Sequence, residues 1–144
     1  MVDIAEKAVT RRSATARSIV ALPAEVLTAL VEGDIQTKKG SVFQTAIIAG
    51  IMAAKKTGEL IPLCHPLGLD NCLVNIHFNE KKEVVVDCTA TITAKTGVEM
   101  EALVGASIAA LTIYDMCKAL SHDIVIRETK LIEKTGGKRD FKRT

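Results

Sequence analysis

An uncharged run, ALVGASIAALTIY at residues 102–114, constrains the fold of this chain more than any other feature. It follows TGVEME, in which Thr96 and Glu99 match the T-x-x-E capping box that begins many helices. A helix that is apolar on every side is buried on every side. Because a chain of 144 residues can hardly cover such a helix alone, the sequence predicts a helix at 96–123 that packs on the rest of the chain and on a second subunit.

The neighbouring segments carry weaker signals for strands and helices. On both sides of the turn NEKKE, residues 73–93 alternate apolar and polar side chains, which predicts a hairpin with one covered face. Proline in a first turn, and lysine and glycine at a helix end, mark two further helices. The other predicted elements are a strand at 11–22, a short helix from Pro23 to just before Gly33, a helix at 40–58 that ends at Lys55, Lys56 and Gly58, and a strand at 124–137.

The predicted order β-α-α-β-β-α-β resembles a split β-α-β arrangement with one extra helix. No internal repeat, linker or low-complexity segment interrupts it. We therefore expect a single domain over residues 1–144 with an α+β fold. Its architecture would be a ferredoxin-like α/β sandwich, with an antiparallel sheet and helices packed on one face.

Composition excludes several classes of function. The hydrophobic content of 48% is that of a folded protein, and no apolar run reaches the roughly 18–20 residues that span a bilayer. The start, MVDIAEKAVTRR, lacks the apolar centre of a signal peptide, so we expect a cytoplasmic protein that does not bind membranes. A net charge of +2 and 3% aromatic residues argue against nucleic acid as a partner. The four cysteines form no C-x-x-C pair and are expected to be free thiols.

Two of the three prolines, Pro62 and Pro66, enclose Leu63, Cys64 and His65. Residues before a proline favour extended backbone, in which adjacent side chains point to opposite sides. The pattern therefore argues against activation of the cysteine by the histidine, and the spacing of cysteines and histidines predicts no metal site. Two interpretations remain: a stiff segment that presents His65 to a ligand, or a rigid connection into the hairpin with Cys64 in the core.

Asp115 and Lys118 lie three positions apart and share one face of the predicted helix, together with Leu111, Ile108 and Met100. A carboxylate and an ammonium group on an apolar stripe are costly unless they are paired or used. Partial burial would shift both pKa values, as it does in many active sites. The pair is therefore either part of an active site or a structural ion pair at the end of the helix.

Further charged groups lie near this helix and near the C-terminus. Glu101 precedes the uncharged run and is either a ligand-binding acid or a solvated residue of the first turn. The segment KTGGK at 134–138 places two glycines between lysines, a pattern that either approaches an anion or forms a mobile tail. The doublets Arg11-Arg12 and Lys38-Lys39 are basic patches that suit a small phosphorylated ligand. Ordinary solvated surface charge would give the same sequence pattern.

Four stretches are more specific when they are taken together: KKGSVFQTAIIAGIMAAKKT, LIPLCHPL, TGVEMEALVGASIAALTIYDMCKAL and KTGG. They resemble the cyclic pyranopterin monophosphate synthase family of molybdenum cofactor biosynthesis. The likeness extends from MVDI to GGKRDF and covers nearly the whole chain. LIPLCHPL, and EMEAL followed by YDMCKA, are not expected together by chance.

The resemblance implies a lyase without a cofactor. Its substrate would be a cyclised dihydroguanosine triphosphate, made from GTP by a radical SAM enzyme, and its products would be cyclic pyranopterin monophosphate and diphosphate. Such a reaction needs proton transfers at several ring atoms while a triphosphate is held, and therefore acid/base groups beside cations. The alternative is a nucleotide-binding or scaffolding subunit that has kept this fold without turnover.

Site residues follow from the resemblance motif by motif. Asp115 and Lys118 would be the acid/base pair. The doublets leave open which arginine and which lysine act, and Thr135 stands where serine is usual. The substrate-binding residues that the resemblance implies are Leu63, Cys64, His65, Glu99, Met100, Glu101, Lys39, Lys134 and Arg12.

The resemblance also implies a homo-oligomer, a hexamer built as a trimer of dimers. Glu101 and Asp115 are separated by about 21 Å along one helix at 1.5 Å per residue, so no small reacting centre touches both within one chain. Two copies of the helix, packed antiparallel about a two-fold axis, would bring them together. The alternative is a long triphosphate that bridges the gap along one chain. We expect the small residues Gly105, Ala106, Ala109 and Ala110 to allow that approach.

Overall fold

The computed structural model describes residues 1–144. Its elements are β1 (Thr10–Ala21), α1 (Ala24–Leu27), β2 (Leu30–Val31), β3 (Asp34–Thr37), β4 (Gly40–Ser41), α2 (Val42–Ala54), α3 (Thr57–Leu60), β5 (Asn71–Phe78), β6 (Val84–Ala94), α4 (Glu99–Cys117), β7 (Val125–Thr135) and β8 (Phe141–Lys142).

Five strands form the main sheet in the order β5-β6-β1-β7-β8. Every neighbouring pair is antiparallel, and β1 occupies the centre between β6 and β7. The chain order β1-α2-β5-β6-α4-β7 places two split β-α-β units in this sheet, which confirms the predicted ferredoxin-like α+β fold. The short strands β2, β3 and β4 form a separate small sheet between α1 and α2.

Alternation of side chains explains how the sheet buries one face. Along β1, Ala14, Ala16 and Val20 are fully buried. The alternate residues Thr15, Ile19 and Ala21 are half-buried. Val74 on β5 and Val86 on β6 continue the same core. The predicted hairpin is therefore confirmed, with its apolar side chains turned toward the helices.

Helices α2 and α4 pack closely on each other and on the sheet because two glycines lie at the contact. A Cβ atom added to Gly50 would lie 2.9 Å from the carbonyl oxygen of Gly105. A Cβ atom added to Gly105 would clash with Sγ of Cys88, on the sheet. Side chains at these two positions would force the three layers apart.

Burial of α4 is incomplete within one chain, as the sequence predicted. Leu111 is 53% exposed and Met100 is 37% exposed, and both belong to the outward face. The small residues Gly105, Ala106, Ala109 and Ala110 were expected to allow two copies of the helix to approach closely. This expectation was wrong, because all four are buried inside the chain.

Helix α4 is long and apolar enough to cross a membrane. However, 56% of its most apolar window is buried in the protein, as in the core helix of a soluble fold.

Helix boundaries differ from the sequence-based expectations at three places. The cap of α4 is Val98 without a side-chain hydrogen bond, so Thr96 and Glu99 form no capping box. The second helix ends at Ala54, and Gly58 lies in the separate helix α3. Residues after Leu27 leave the helix and form β2, because Glu32 and Gly33 adopt positive φ angles of 48° and 83° and close a tight hairpin.

The C-terminal glycines lie in a turn that hydrogen bonds connect to the rest of the chain. Gly136 has a φ of 87°, and a Cβ atom there would clash with the carbonyl oxygen of Arg11. Its own carbonyl accepts a hydrogen bond from Oγ1 of Thr10 at 2.6 Å, and its N–H donates to Asp140. This turn leads into β8, an edge strand that the sequence analysis missed.

Candidate active site

Two cavities lie at opposite ends of α4. The first, here called the N-end cavity, has a volume of about 320 Å³ and is enclosed by the first turn of α4, the loop after α3 and the start of the chain. It brings together six of the predicted substrate-binding residues. Its lining residues are Val2, Ile4, Lys7, Leu63, Cys64, His65, Leu67, Thr96, Gly97, Glu99, Met100 and Glu101.

The loop after α3 forms its wall with a turn and not with extended backbone. The N–H group of Cys64 donates to the carbonyl of Ile61 at 3.2 Å, which closes a four-residue turn with Pro62 in its second position. Because of this turn, Cys64 and His65 line the same cavity, and the expectation of an extended Leu63-Cys64-His65 segment was wrong. Burial and the charge of Glu101 raise the pKa of the Cys64 thiol, so a thiolate nucleophile is disfavoured.

His65 is held by the backbone at the start of the chain. Its Nε2 atom lies 2.7 Å from the carbonyl oxygen of Val2. A carbonyl oxygen only accepts, so Nε2 is the protonated ring nitrogen and donates this hydrogen bond.

The first turn of α4 contributes two carboxylates with different surroundings. Glu101 is only 3% exposed, and burial, with the nearby charge of Glu99, raises the pKa of its carboxyl group. Glu99 lies 3.3 Å from Nζ of Lys134 on β7, a pair that joins the KTGG segment to the cavity wall. Burial therefore favours the protonated form of Glu101 more than that of an exposed glutamate, whereas Glu99 is already partnered by a cation.

The second cavity, here called the C-end cavity, has a volume of about 400 Å³ and contains the predicted acid/base pair. Asp115 lies between two ammonium groups, with Nζ of Lys39 at 2.8 Å and Nζ of Lys118 at 3.1 Å from its carboxylate oxygens. The remaining lining residues are Thr37, Lys38, Met116, Ala119 and Leu120.

Partial burial was expected to shift the pKa of Asp115, and this cause was wrong. The side chain of Asp115 is about half exposed, at 51%, and burial does not dominate its titration. The hydrogen bond from Lys39, followed by that from Lys118, lowers the pKa of Asp115. Of the two members of the lysine doublet, Lys39 is the one that contacts Asp115, whereas Lys38 only lines the cavity.

Arg12 lines neither cavity. It is 7% exposed, and its guanidinium donates to the carbonyl of Ala94 at 3.1 Å and to that of Ala8 at 3.3 Å. Its neighbour Arg11 is exposed. The structure therefore gives Arg12 a buried position that fixes backbone at the start of the chain.

One chain does not bring all the predicted residues together. The N-end cavity holds Glu101 and the C-end cavity holds Asp115, at the first and last turns of α4. The sequence analysis missed Val2, Ile4 and Lys7, because a segment before the first strand carries no periodic signal. The structure contains no cluster of three or more histidine, cysteine, aspartate or glutamate residues that suits a metal ion.

Comparison with known proteins decides the family. A sequence model described as the MoaC family matches residues 1–137. The chain belongs to the MoaC family. The match includes both cavities and leaves only the segment that contains β8 outside.

Similar proteins from distant organisms agree with this assignment to the MoaC family. A protein of Xanthomonas axonopodis pv. citri named cyclic pyranopterin monophosphate synthase is 55% identical over 98% of this chain and 86% of its own length. The molybdenum cofactor biosynthesis bifunctional protein of Synechocystis is 52% identical over 100% of this chain and 43% of its own length. The molybdenum cofactor biosynthesis protein 1 of Dictyostelium discoideum is 50% identical over 96% of this chain and 24% of its own length.

Proposed function

We propose that this MoaC-family chain is a cyclic pyranopterin monophosphate synthase, a lyase of molybdenum cofactor biosynthesis. It converts a cyclised dihydroguanosine triphosphate into cyclic pyranopterin monophosphate and releases diphosphate. The observation that carries this proposal is the position of Asp115 between Lys39 and Lys118, within hydrogen-bond distance of both. Two cations and one carboxylate in a single cavity supply both the phosphate contacts and the acid/base groups that this reaction needs.

In the C-end cavity, the hydrogen bonds from Lys39 and Lys118 lower the pKa of Asp115 and favour its ionised form when no substrate is present. A phosphate group that enters the cavity competes for the same ammonium groups, since charge-assisted hydrogen bonds to phosphate are strong. The carboxylate of Asp115 then loses partners and becomes a better proton acceptor. Lys118, three residues along the same helix, is placed to return a proton or to stabilise the leaving diphosphate.

In the N-end cavity, the groups suit the ring end of the substrate. His65 and the carboxyl group of Glu101 are hydrogen-bonding partners for nitrogen and oxygen atoms of a purine, and Leu63 and Met100 add apolar surface. Lys134 neutralises Glu99 and adds a cation nearby. The prolines on either side of Leu63, Cys64 and His65 fix the turn, which lowers the entropy cost of ordering this wall.

The two cavities form one site when two copies of the chain meet. The outward face of α4 exposes Met100 and Leu111, and beside it a groove of about 330 Å³ is lined mainly by apolar residues of α3 and α4. A two-fold contact along this face, with the helices antiparallel, would place the N-end cavity of one chain beside the C-end cavity of the other. We extend the proposal to a homohexamer, a trimer of such dimers, in the cytoplasm.

The direct test is turnover of the cyclised substrate, followed by oxidation of the product to a fluorescent pterin. A synthase gives time-dependent fluorescence together with stoichiometric diphosphate. If the chain binds the substrate and forms neither product, it is a scaffolding subunit, and the proposed reaction is wrong.

The expected absence of a transition metal is checked by elemental analysis of protein purified without chelator. Stoichiometric zinc that is lost when Cys64 or His65 is changed would contradict this expectation.

A further inference from the structure

A strap formed by residues 1–7 lies over the N-end cavity. Val2, Ile4 and Lys7 belong to the cavity lining, although no strand or helix includes them. Within the strap, the N–H of Ala5 donates to Oδ1 of Asp3 at 2.9 Å, and the N–H of Lys7 donates to the carbonyl of Ile4 at 3.1 Å. These bonds close a local turn that brings Lys7 back to the cavity.

Three side chains, of which only His65 belongs to the cavity lining, donate to backbone carbonyls of the strap and of the residue that follows it. His65 binds the carbonyl of Val2 at 2.7 Å, Lys95 that of Ala5 at 3.2 Å, and Arg12 that of Ala8 at 3.3 Å. Apolar anchoring is limited to Ile4, which is half-buried in the cavity lining, since Met1 and Val2 are 72% and 75% exposed. A segment held by a few polar contacts opens at low cost, so the strap is suited to let a ligand in and to close again.

The contact at Val2 also determines the chemistry of His65. A hydrogen bond from Nε2 to a carbonyl fixes the proton on Nε2 and leaves Nδ1 as the only ring nitrogen that accepts a proton or a hydrogen bond. We propose that the 1–7 strap is a lid of the N-end cavity that fixes the Nε2-protonated form of His65. It also carries Lys7 toward the phosphate groups, which the proposed dimer brings to this cavity from the C-end cavity of the second chain. Val2 and Arg12 then act as positioning residues. The identification of phosphate as the ligand of Lys7 rests on the proposed function.

The tautomer is tested by nitrogen NMR of the histidine rings in the full chain and in a variant that lacks Val2–Ile4. His77 and His122 are exposed and distant from the strap in sequence, so they are internal controls. We expect the His65 ring nitrogens to change from a fixed Nε2-protonated pattern to an exchange-averaged one, with the other two histidines unchanged. A His65→Gln variant assigns the signals.

Identical His65 signals in the full chain and in the deletion variant would overturn the tautomer claim. Should the deletion variant fail to fold, Lys95→Met releases the strap at Ala5 while the chain stays complete. In that variant we expect faster hydrogen exchange of the Lys7 amide, and unchanged exchange there would equally overturn the lid.

The role of Lys7 is tested with inorganic triphosphate as the probe, using Lys7→Gln and the matched control Lys81→Gln in the β5–β6 turn. Loss of one charge-assisted contact predicts about tenfold weaker binding for Lys7→Gln and no change for the control. Equal affinities in both variants would exclude Lys7 from the phosphate site. Neither the NMR signals nor triphosphate binding requires turnover, so failure of the strap proposal is distinguishable from failure of the proposed reaction.

Discussion

The carboxyl groups at the two ends of α4 have pKa values that are shifted in opposite directions. At the N-end cavity, Glu101 is buried and its carboxyl pKa is raised, whereas at the C-end cavity Asp115 is half exposed and its pKa is lowered by Lys39 and Lys118. One helix thus carries a group suited to donate a proton and a group suited to accept one. The two cavities therefore contribute carboxyl groups with opposite pKa shifts, and a site that contains both requires the two ends to meet.

The largest effect is expected at the C-end cavity. Asp115→Asn and Lys118→Ala should each lower kcat by about 10²–10⁴-fold, because each removes a group that transfers a proton or stabilises charge in the transition state. The pterin fluorescence assay measures this loss, and circular dichroism checks the fold. Asp123→Asn, an exposed aspartate beyond α4 that lines neither cavity, is the control and should keep the full rate. Wild-type turnover in either site variant would refute the acid/base assignment.

A smaller effect, about 10²-fold in kcat, is expected from Glu101→Gln at the N-end cavity, because the amide keeps the shape but carries no transferable proton. Glu99→Gln is the matched comparison. It breaks the ion pair with Lys134 and should act mainly on KM. The contrast between the two glutamates fails if Glu99→Gln lowers kcat as much as Glu101→Gln does.

The electrostatic origin of the low Asp115 pKa is testable by carboxyl NMR titration. Since the hydrogen bond from Lys39 is the larger cause, Lys39→Met should raise the pKa of Asp115 toward its usual value of 3.8 more than Lys118→Met does. Lys38→Met, the neighbouring residue without a contact to the carboxylate, is the control. The reverse order of the two lysines would show that the ion pairs are arranged differently in solution.

The smallest effect concerns stability and its dependence on pH. The pKa of Glu101 is raised in the folded state, so the folded protein binds more protons than the unfolded chain between the usual value of 4.5 and the folded pKa. Stability from this residue is therefore present below 4.5 and is lost as the pH rises through the folded pKa. Glu101→Gln should melt at a higher temperature than the wild type at pH 8, and the gap should shrink as the pH falls to 4. A gap that is independent of pH would contradict burial of an ionisable carboxyl group.

The sequence predicted the fold because its signals are local. Alternation at residues 73–93 defined the hairpin, and the uncharged run at 102–114 defined α4 and its incomplete burial. The spacing of Asp115 and Lys118 predicted their contact, since residues three apart share a helix face.

Contacts between distant segments were not predictable in the same way. Lys39 and Asp115 are 76 positions apart, and His65 and Val2 are 63 apart, so no periodic pattern connects them. The capping box failed because the helix starts two residues later than the motif predicts. Val98 is the cap and Glu99 the first helical residue, so the Glu99 carboxylate lies beside Gly97 and pairs with Lys134 on β7 instead of the cap.

Mixing of inactive Glu101→Gln with inactive Asp115→Asn, under conditions where subunits exchange, tests whether the two ends of α4 from two chains form one site. In a mixed dimer, one site carries both substitutions and the other carries neither. Equal mixing should therefore restore about a quarter of the wild-type activity, since half of the dimers are mixed and each has one intact site. Native mass spectrometry verifies that the chains have exchanged. Exchanged chains that remain inactive would contradict the shared site.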